Sequence, residues 1–124
     1  MLKKDKKKLG ETGEHIAAAF LKHKSYMILE QNYFSAYGEI DIIAQKGNNL
    51  IFVEVKTRNS RAEDALNSIS SAKQAKIIKT ANTFLNENCL HEDIFTRFDV
   101  IIVIPDRNRK YKVNHITDAF RPSL

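Results

Sequence analysis

The run Phe98–Asp99–Val100–Ile101–Ile102–Val103–Ile104, closed by Pro105, constrains the fold more than any other segment of this 124-residue chain. One polar residue in a near-continuous apolar stretch leaves no solvent face, and strands buried on both faces are usually parallel and central. A parallel partner requires a crossover, which the right-handed strand–helix–strand step supplies. The upstream run 50–56 provides the partner strand. Ser70 or Ser71 caps a helix running to about Asn86, with Ala75, Ile78, Ala81, Phe84 and Leu85 as its buried face.

The other elements fall around this unit. Gly10 and Gly13 bracket the start of a helix over about 12–24, whose apolar arc is Ile16, Ala17, Phe20 and Leu21. Residues 26–34 are extended, and runs 38–46 and 50–56 flank Gly47–Asn48, a strong hairpin signal. Residues 59–69 are polar and irregular, and a last strand over about 110–116 follows a turn at Asp106–Arg109. The order α-β-β-β-α-β-β predicts the α/β class, with a mixed central sheet flanked by helices.

Composition narrows the options further. At 43% hydrophobic residues the chain is long enough to bury a core without staples. Of the net charge of +5, +4 sits in the first eight residues, where Lys3, Lys4, Lys6, Lys7 and Lys8 face Asp5 alone. This divides the chain into a basic flexible tail, 1–9, and a single domain, 10–124. The tail supplies salt-dependent affinity for a polyanion or merely a solubilising start, and both readings stay open. No apolar run approaches the ~18 residues of a membrane span, and no signal-peptide core follows the lysines, so a cytoplasmic location without membrane partners is expected. The single cysteine, Cys89, excludes an internal disulfide and a Cys-rich zinc site. His15, His23, His91 and His115 show no ligand spacing.

The hairpin carries the chemistry. A two-residue turn pairs Lys46 with Asn49, which sets Asp41 opposite Glu54 and Glu39 opposite Lys56. Carboxylates directly across an antiparallel pair repel one another. Lys56 offers part of the compensation, and a hard divalent ion, Mg²⁺ or Mn²⁺, offers more. A solvent-facing sheet laced with salt bridges fits the spacing as well, but Leu50 and Phe52 share the face of Glu54 and make it half-buried.

Gly10–Glu11–Thr12–Gly13–Glu14, Tyr37–Gly38–Glu39–Ile40–Asp41, Phe52–Val53–Glu54–Val55–Lys56–Thr57–Arg58, Arg97–Phe98–Asp99–Val100, His115–Ile116 and Ala119–Phe120 together resemble the YraN family of small bacterial proteins. That family resembles the PD-(D/E)XK nucleases, in particular the archaeal Holliday-junction resolvases. Glu14, Asp41, Glu54 and Lys56 follow the superfamily order, with Ile40 in place of its proline. The resemblance implies a restriction-endonuclease-like fold and a Mg²⁺-dependent (or Mn²⁺-dependent) endonuclease hydrolysing DNA, branched or recombination structures included. The alternative is a non-cleaving nucleic-acid-binding protein that keeps the fold. In the implied site Asp41, Glu54, the Val55 carbonyl and Glu14 hold metal, and Lys56 orients water or stabilises developing charge. By analogy with resolvases the chain forms a homodimer.

Each residue also has a plainer reading. Glu14 suits the first turn of a helix by its charge alone. Glu39 pairs with Lys56 or supports the site from behind. Arg58 is a candidate phosphate contact. Lys73, Lys76 and Lys79 reach phosphates or form a solvated helix face. Gln74 is equally ambiguous. Asp99 bridges to Arg97 or Arg58. Tyr33, Phe34 and Tyr37 stack on unpaired bases or pack the loop.

Overall fold

The computed structural model describes residues 3–58, 67–88, 93–106, 108 and 110–122. Helix α1 (Lys3–His23) leads into strands β1 (Met27–Phe34), β2 (Glu39–Lys46) and β3 (Asn49–Thr57). Helix α2 (Ser71–Glu87), β4 (Phe95–Pro105) and β5 (Tyr111–Phe120) follow. Among the described residues the fold is thus a five-stranded sheet with two helices, in spatial order β1-β2-β3-β4-β5. All neighbours are antiparallel except β3 and β4, which run parallel. The apolar run 98–104 therefore lies where its pattern required, beside its parallel partner, with Phe98 to Val103 buried.

The two helices cover opposite faces. Ala17, Ala18 and Leu21 of α1 pack on Ile42, Ala44, Ile51, Val53, Ile101 and Val103. Ile77, Ala81 and Phe84 of α2 pack on Ile43, Leu50, Phe52 and Phe98. This is the strand period of two, with odd and even positions of the hairpin sent to different helices. The hairpin register runs from Lys46↔Asn49 to Ile42↔Val53, as the turn dictated, and Gly47 takes a left-handed φ of 59°.

Several boundaries differ from the sequence pattern. The segment expected as a flexible tail continues helix α1, which starts at Lys3, because a lysine run is a good helix former. Gly10 and Gly13 accordingly lie inside the helix. On α2, Ser70 is the cap and accepts the Lys73 N–H at 3.1 Å. The buried arc is Ile77, Thr80, Ala81 and Phe84, whereas Ala75 is exposed because it lies about 200° around the helix from Ile77. Strand β5 continues to Phe120, since the sheet absorbs a register shift at Asp99 and Asp118 takes a φ of 53°. Cys89, His91, most of 59–69 and part of the 106–109 turn lie outside the described residues.

Asp99 anchors the far side of the sheet. It is fully buried and accepts Arg97 Nε and Nη2 at 2.8 and 2.9 Å, His115 Nε2 at 2.7 Å and the Asp118 N–H at 2.9 Å. Of the two sequence partners considered for Asp99, the arginine it meets is Arg97. Tyr26 joins through its hydroxyl, 3.1 Å from Arg97 Nη2, which ties the end of α1 to β4.

Gly13 sets how closely α1 approaches β3. A Cβ built there would stand 1.9 Å from Thr57 Oγ1 and 3.2 Å from Thr57 Cβ, so rotating the hydroxyl does not clear it. Gly13→Ala is expected to destabilise the fold by an overpacking cost of about 1–3 kcal/mol, read as a lower urea midpoint. An unchanged midpoint would mean that Thr57 moves aside freely.

Candidate functional site

The register that pairs Ile42 with Val53 would next set Asp41 against Glu54, and there the strands stop behaving as a ladder. Ile40 packs toward α2 while Ile42, two residues on, packs toward α1. Regular alternation would send both the same way, so the side-chain pattern slips by one position around Asp41. The expected side-by-side placement of Asp41 and Glu54 on one face is corrected accordingly. The slip frees the Asp41 carboxylate to accept the Val55 N–H at 2.7 Å. N–H and C=O of a strand residue point to the same side, so the Val55 carbonyl faces that gap as well.

Five elements converge on this point. Helix α1 brings Glu14 within hydrogen-bonding reach of Asp41. Strand β2 brings Glu39 and Asp41, and β3 brings Glu54 and Lys56. Helix α2 brings Lys73, whose Nζ is 3.2 Å from Glu54 Oε1, while Lys56 Nζ is 3.7 Å from the same oxygen. Glu54 is 6% exposed and Lys73 caps it from solvent. Asn32, in β1, closes the cluster. With its amide nitrogen turned to the carboxylates it donates to Glu39 Oε1 at 2.8 Å and Glu14 Oε2 at 3.0 Å.

The electrostatics follow from burial and proximity. Burial first, then the charges of Glu54, Glu14 and Glu39, push the Asp41 carboxyl up to about 8 despite the Val55 N–H. Burial and Glu39 also raise Glu14, with Asp41 and Asn32 opposing the rise. Asp41 therefore keeps its proton near neutral pH. Lys56 moves the other way. Burial, then the positive charges of Lys73 and Arg58, lower its ammonium against the pull of Glu54 and Asp41.

The sequence-derived set is thus brought together, with differences of detail. Glu14, Asp41, Glu54, Lys56 and Glu39 share the cluster. Lys73, for which a solvated face was the plainer reading, is an ion-pair partner of Glu54. Glu39 meets Asn32, and the closest carboxylate partner of Lys56 is Glu54. Arg58 turns its guanidinium to the Thr57 carbonyl at 2.9 Å yet stays near enough to depress Lys56. Gln74 holds the Ile69 carbonyl at 3.2 Å and braces the start of α2. Asn32 was missed. Its one signal is residue type, since Asn tolerates the left-handed backbone (φ 53°) that it adopts here.

Among the described residues no three His, Cys, Asp or Glu side chains form a preassembled metal-binding group. The fit to a divalent ion lies in donor chemistry: hard carboxylate oxygens that destabilise one another, an adjacent main-chain carbonyl, and raised proton affinities that a cation would reverse. No described helix is long and apolar enough to cross a membrane.

Comparisons agree on one family. The model of "Uncharacterised protein family UPF0102" matches residues 13–103. A UPF0102 protein of Geotalea daltonii is 44% identical over 119 residues, 95% of this chain and 93% of the relative. Those of Clostridium botulinum (strain Loch Maree) and Geotalea uraniireducens are 40% and 42% identical over 117 residues. They cover 93% and 94% of this chain, and 95% and 91% of the relatives.

The Asp41 shift makes a stability prediction. In the unfolded chain the carboxyl titrates near 3.8 and in the fold near 8, so between these values only the folded state keeps the proton. The contribution of Asp41 is therefore present in acid and lost as pH rises through about 8. Asp41→Asn keeps an acceptor for Val55 and removes the charge. In EDTA it is expected to melt several degrees above the unsubstituted protein at pH 8, with the gap narrowing toward pH 4, as read by circular dichroism.

Proposed function

The chain belongs to the UPF0102 family, the YraN family of the sequence reading, and from its carboxylate site we propose that it is a Mg²⁺-dependent endonuclease hydrolysing phosphodiester bonds in DNA, with a fold of the PD-(D/E)XK kind. The observation that carries this reading is the convergence of Glu14, Asp41, Glu54 and Lys56 from α1, β2 and β3, with Glu14 and Asp41 pushed toward their neutral forms. Carboxyl groups perturbed by burial and by like charges cluster at functional sites. Branched and recombination structures are the substrates that the resemblance to resolvases suggests.

Asp41, Glu54, the Val55 carbonyl and Glu14 would hold the ion. When bound, Mg²⁺ neutralises phosphate charge and acidifies water. Asp41 gives up its proton on engaging it, so affinity rises with pH up to about 8. Lys56 lies beside Glu54 and presents a positive charge to the reacting phosphate, where it orients water or stabilises charge developing in the transition state. Lys73 and Arg58 add positive potential around the phosphate.

The second reading, a nucleic-acid-binding protein that does not cut, draws on the ion pairs of Glu54 with both lysines, which satisfy that carboxylate without metal. Incubation with branched, flapped and linear DNA, in Mg²⁺ and in EDTA, separates the two. Cleavage in Mg²⁺ alone, lost in Asp41→Asn, supports the nuclease; tight binding without cutting supports the second reading. Lys56→Ala is expected to slow turnover by about 100- to 1000-fold. Its Mn²⁺ binding, followed by titration calorimetry, should be retained. Full activity in that variant would remove Lys56 from the mechanism.

A further inference from the structure

The last residue of β1 and the short connection to β2 leave two aromatic rings in water. Phe34 is 68% exposed and Tyr37 is 54% exposed. Tyr33, next to Phe34, behaves in the opposite way: its ring meets Phe84 edge-on at 5.3 Å and its hydroxyl donates to Glu87 Oε2 at 2.6 Å. The end of β1 thus packs Tyr33 and exposes Phe34, and the connection exposes Tyr37.

The exposed rings are not on a loose loop. Ser35 N–H donates to the Gly38 carbonyl at 2.8 Å, and the Tyr37 N–H donates to Ser35 Oγ at 3.0 Å. Ser35 Oγ is 2.9 Å from Thr80 Oγ1 on α2, and Thr80 is fully buried. Gly38 runs so close to α2 that a Cβ there would stand 3.7 Å from Lys76 Cβ. The Tyr37 ring is therefore held against the helix, and Lys79 Nζ lies 5.5 Å from its centroid. A ring fixed by its backbone and faced by a cation is pre-organised for stacking, because little freedom remains to be lost.

The surroundings of that ring supply the second half of a recognition surface. Lys73, Lys76 and Lys79 recur every three residues, so neighbours in the series adjoin on the helix surface. The stripe begins at Lys73 beside Glu54 and ends at Lys79 beside Tyr37. At a rise of about 1.5 Å per residue it spans roughly 9 Å. Cations in a row with a held aromatic ring, Tyr37, at the far end match a chain of phosphates with accessible base faces. A duplex offers the phosphates but keeps its base faces stacked. An acidic peptide would satisfy the lysines and leave the rings unused.

We infer that the Phe34–Tyr37 connection and the Lys73–Lys76–Lys79 stripe bind unpaired nucleotides of a DNA strand, with Tyr37 stacking on a base and the lysines holding phosphates on the way to the carboxylate cluster. This rests on the nuclease reading for its direction, and it narrows the substrate to DNA with a single-stranded segment beside the cut.

Fluorescence anisotropy of the full chain in EDTA tests it apart from cleavage. The probes are a labelled thymidine oligonucleotide, a blunt duplex of equal length and a uridine oligonucleotide. Tyr37→Ala is expected to weaken binding of the thymidine strand about ten- to a hundredfold, the loss of one base–aromatic stack, with little effect on the duplex. Tyr37→Phe should restore affinity, and Lys79→Ala should weaken it while flattening its salt dependence. Unaltered melting of each variant confirms that the fold is intact. Equal loss for strand and duplex, or no loss in Tyr37→Ala, would overturn the inference. Tighter binding of the uridine strand would overturn DNA as the partner. Tyr37-dependent strand binding by a protein that never cuts would keep this inference and reject the nuclease; cutting with no role for Tyr37 would do the reverse.

Discussion

Everything at the centre of this molecule depends on holding Glu14, Asp41 and Glu54 together against their mutual repulsion. Ionised carboxylates resist both burial and one another. What holds them is apolar packing elsewhere. Ile42 and Val53 are committed to α1, and Ile43, Leu50 and Phe52 are committed to α2. With both faces of the hairpin fixed, the acids at its open end have no alternative register. Gly13 lets α1 close onto Thr57 and so delivers Glu14 to the same point. The strain is therefore electrostatic, and it is relieved by the proton that Asp41 keeps and by the two lysines on Glu54.

The same sheet contains a buried aspartate treated in the opposite way. Asp99 is sealed among Arg97, His115 and the Asp118 N–H, and despite the burial that works to raise it, these donors hold its carboxyl below the ordinary range. Asp41 receives one N–H and three like charges and is pushed up. Two aspartates of one sheet, Asp99 fully buried and Asp41 half-buried, thus end on opposite sides of their usual value. Satisfied charge is the mark of architecture, since removing a partner only damages the fold. Frustrated charge is tolerated where a ligand or ion completes it.

The sequence was legible wherever local pattern and global packing agreed. The 98–104 run announced a central strand, and the Gly47–Asn48 turn fixed the β2–β3 register, because each signal depends on few residues. Glu14, Asp41, Glu54 and Lys56 were identifiable as a group from their spacing and family resemblance. Harder to read were features that arise only in three dimensions. Gly13 looked like a helix boundary, and only the approach of Thr57 gives it another purpose. The slip at Asp41 leaves no trace in the alternation of Glu39, Ile40, Asp41 and Ile42, since Ile40 is apolar on whichever side it falls. Asn32 was invisible because it belongs to no motif and enters through its backbone conformation.

Charge shows the same division between chain and fold. The lysines that dominate the total, Lys3 to Lys8, precede Glu14 in α1, whereas the lysines that pair with Glu54 are Lys56, two residues on in β3, and Lys73, brought in by α2. There the two signs are displaced toward neutrality from opposite directions: Asp41 and Glu14 upward, Lys56 downward. On the proposed reading this imbalance couples the two things the site must bind. A divalent cation would return the carboxyls to their ionised state, and a phosphate would return Lys56 to its ordinary proton affinity. Each addition supplies the charge that the other lacks, so each strengthens the other by the same factor. A site built this way resists assembling its full charge until metal and phosphate are both present, and that resistance is a property of burial and distance rather than of any single residue.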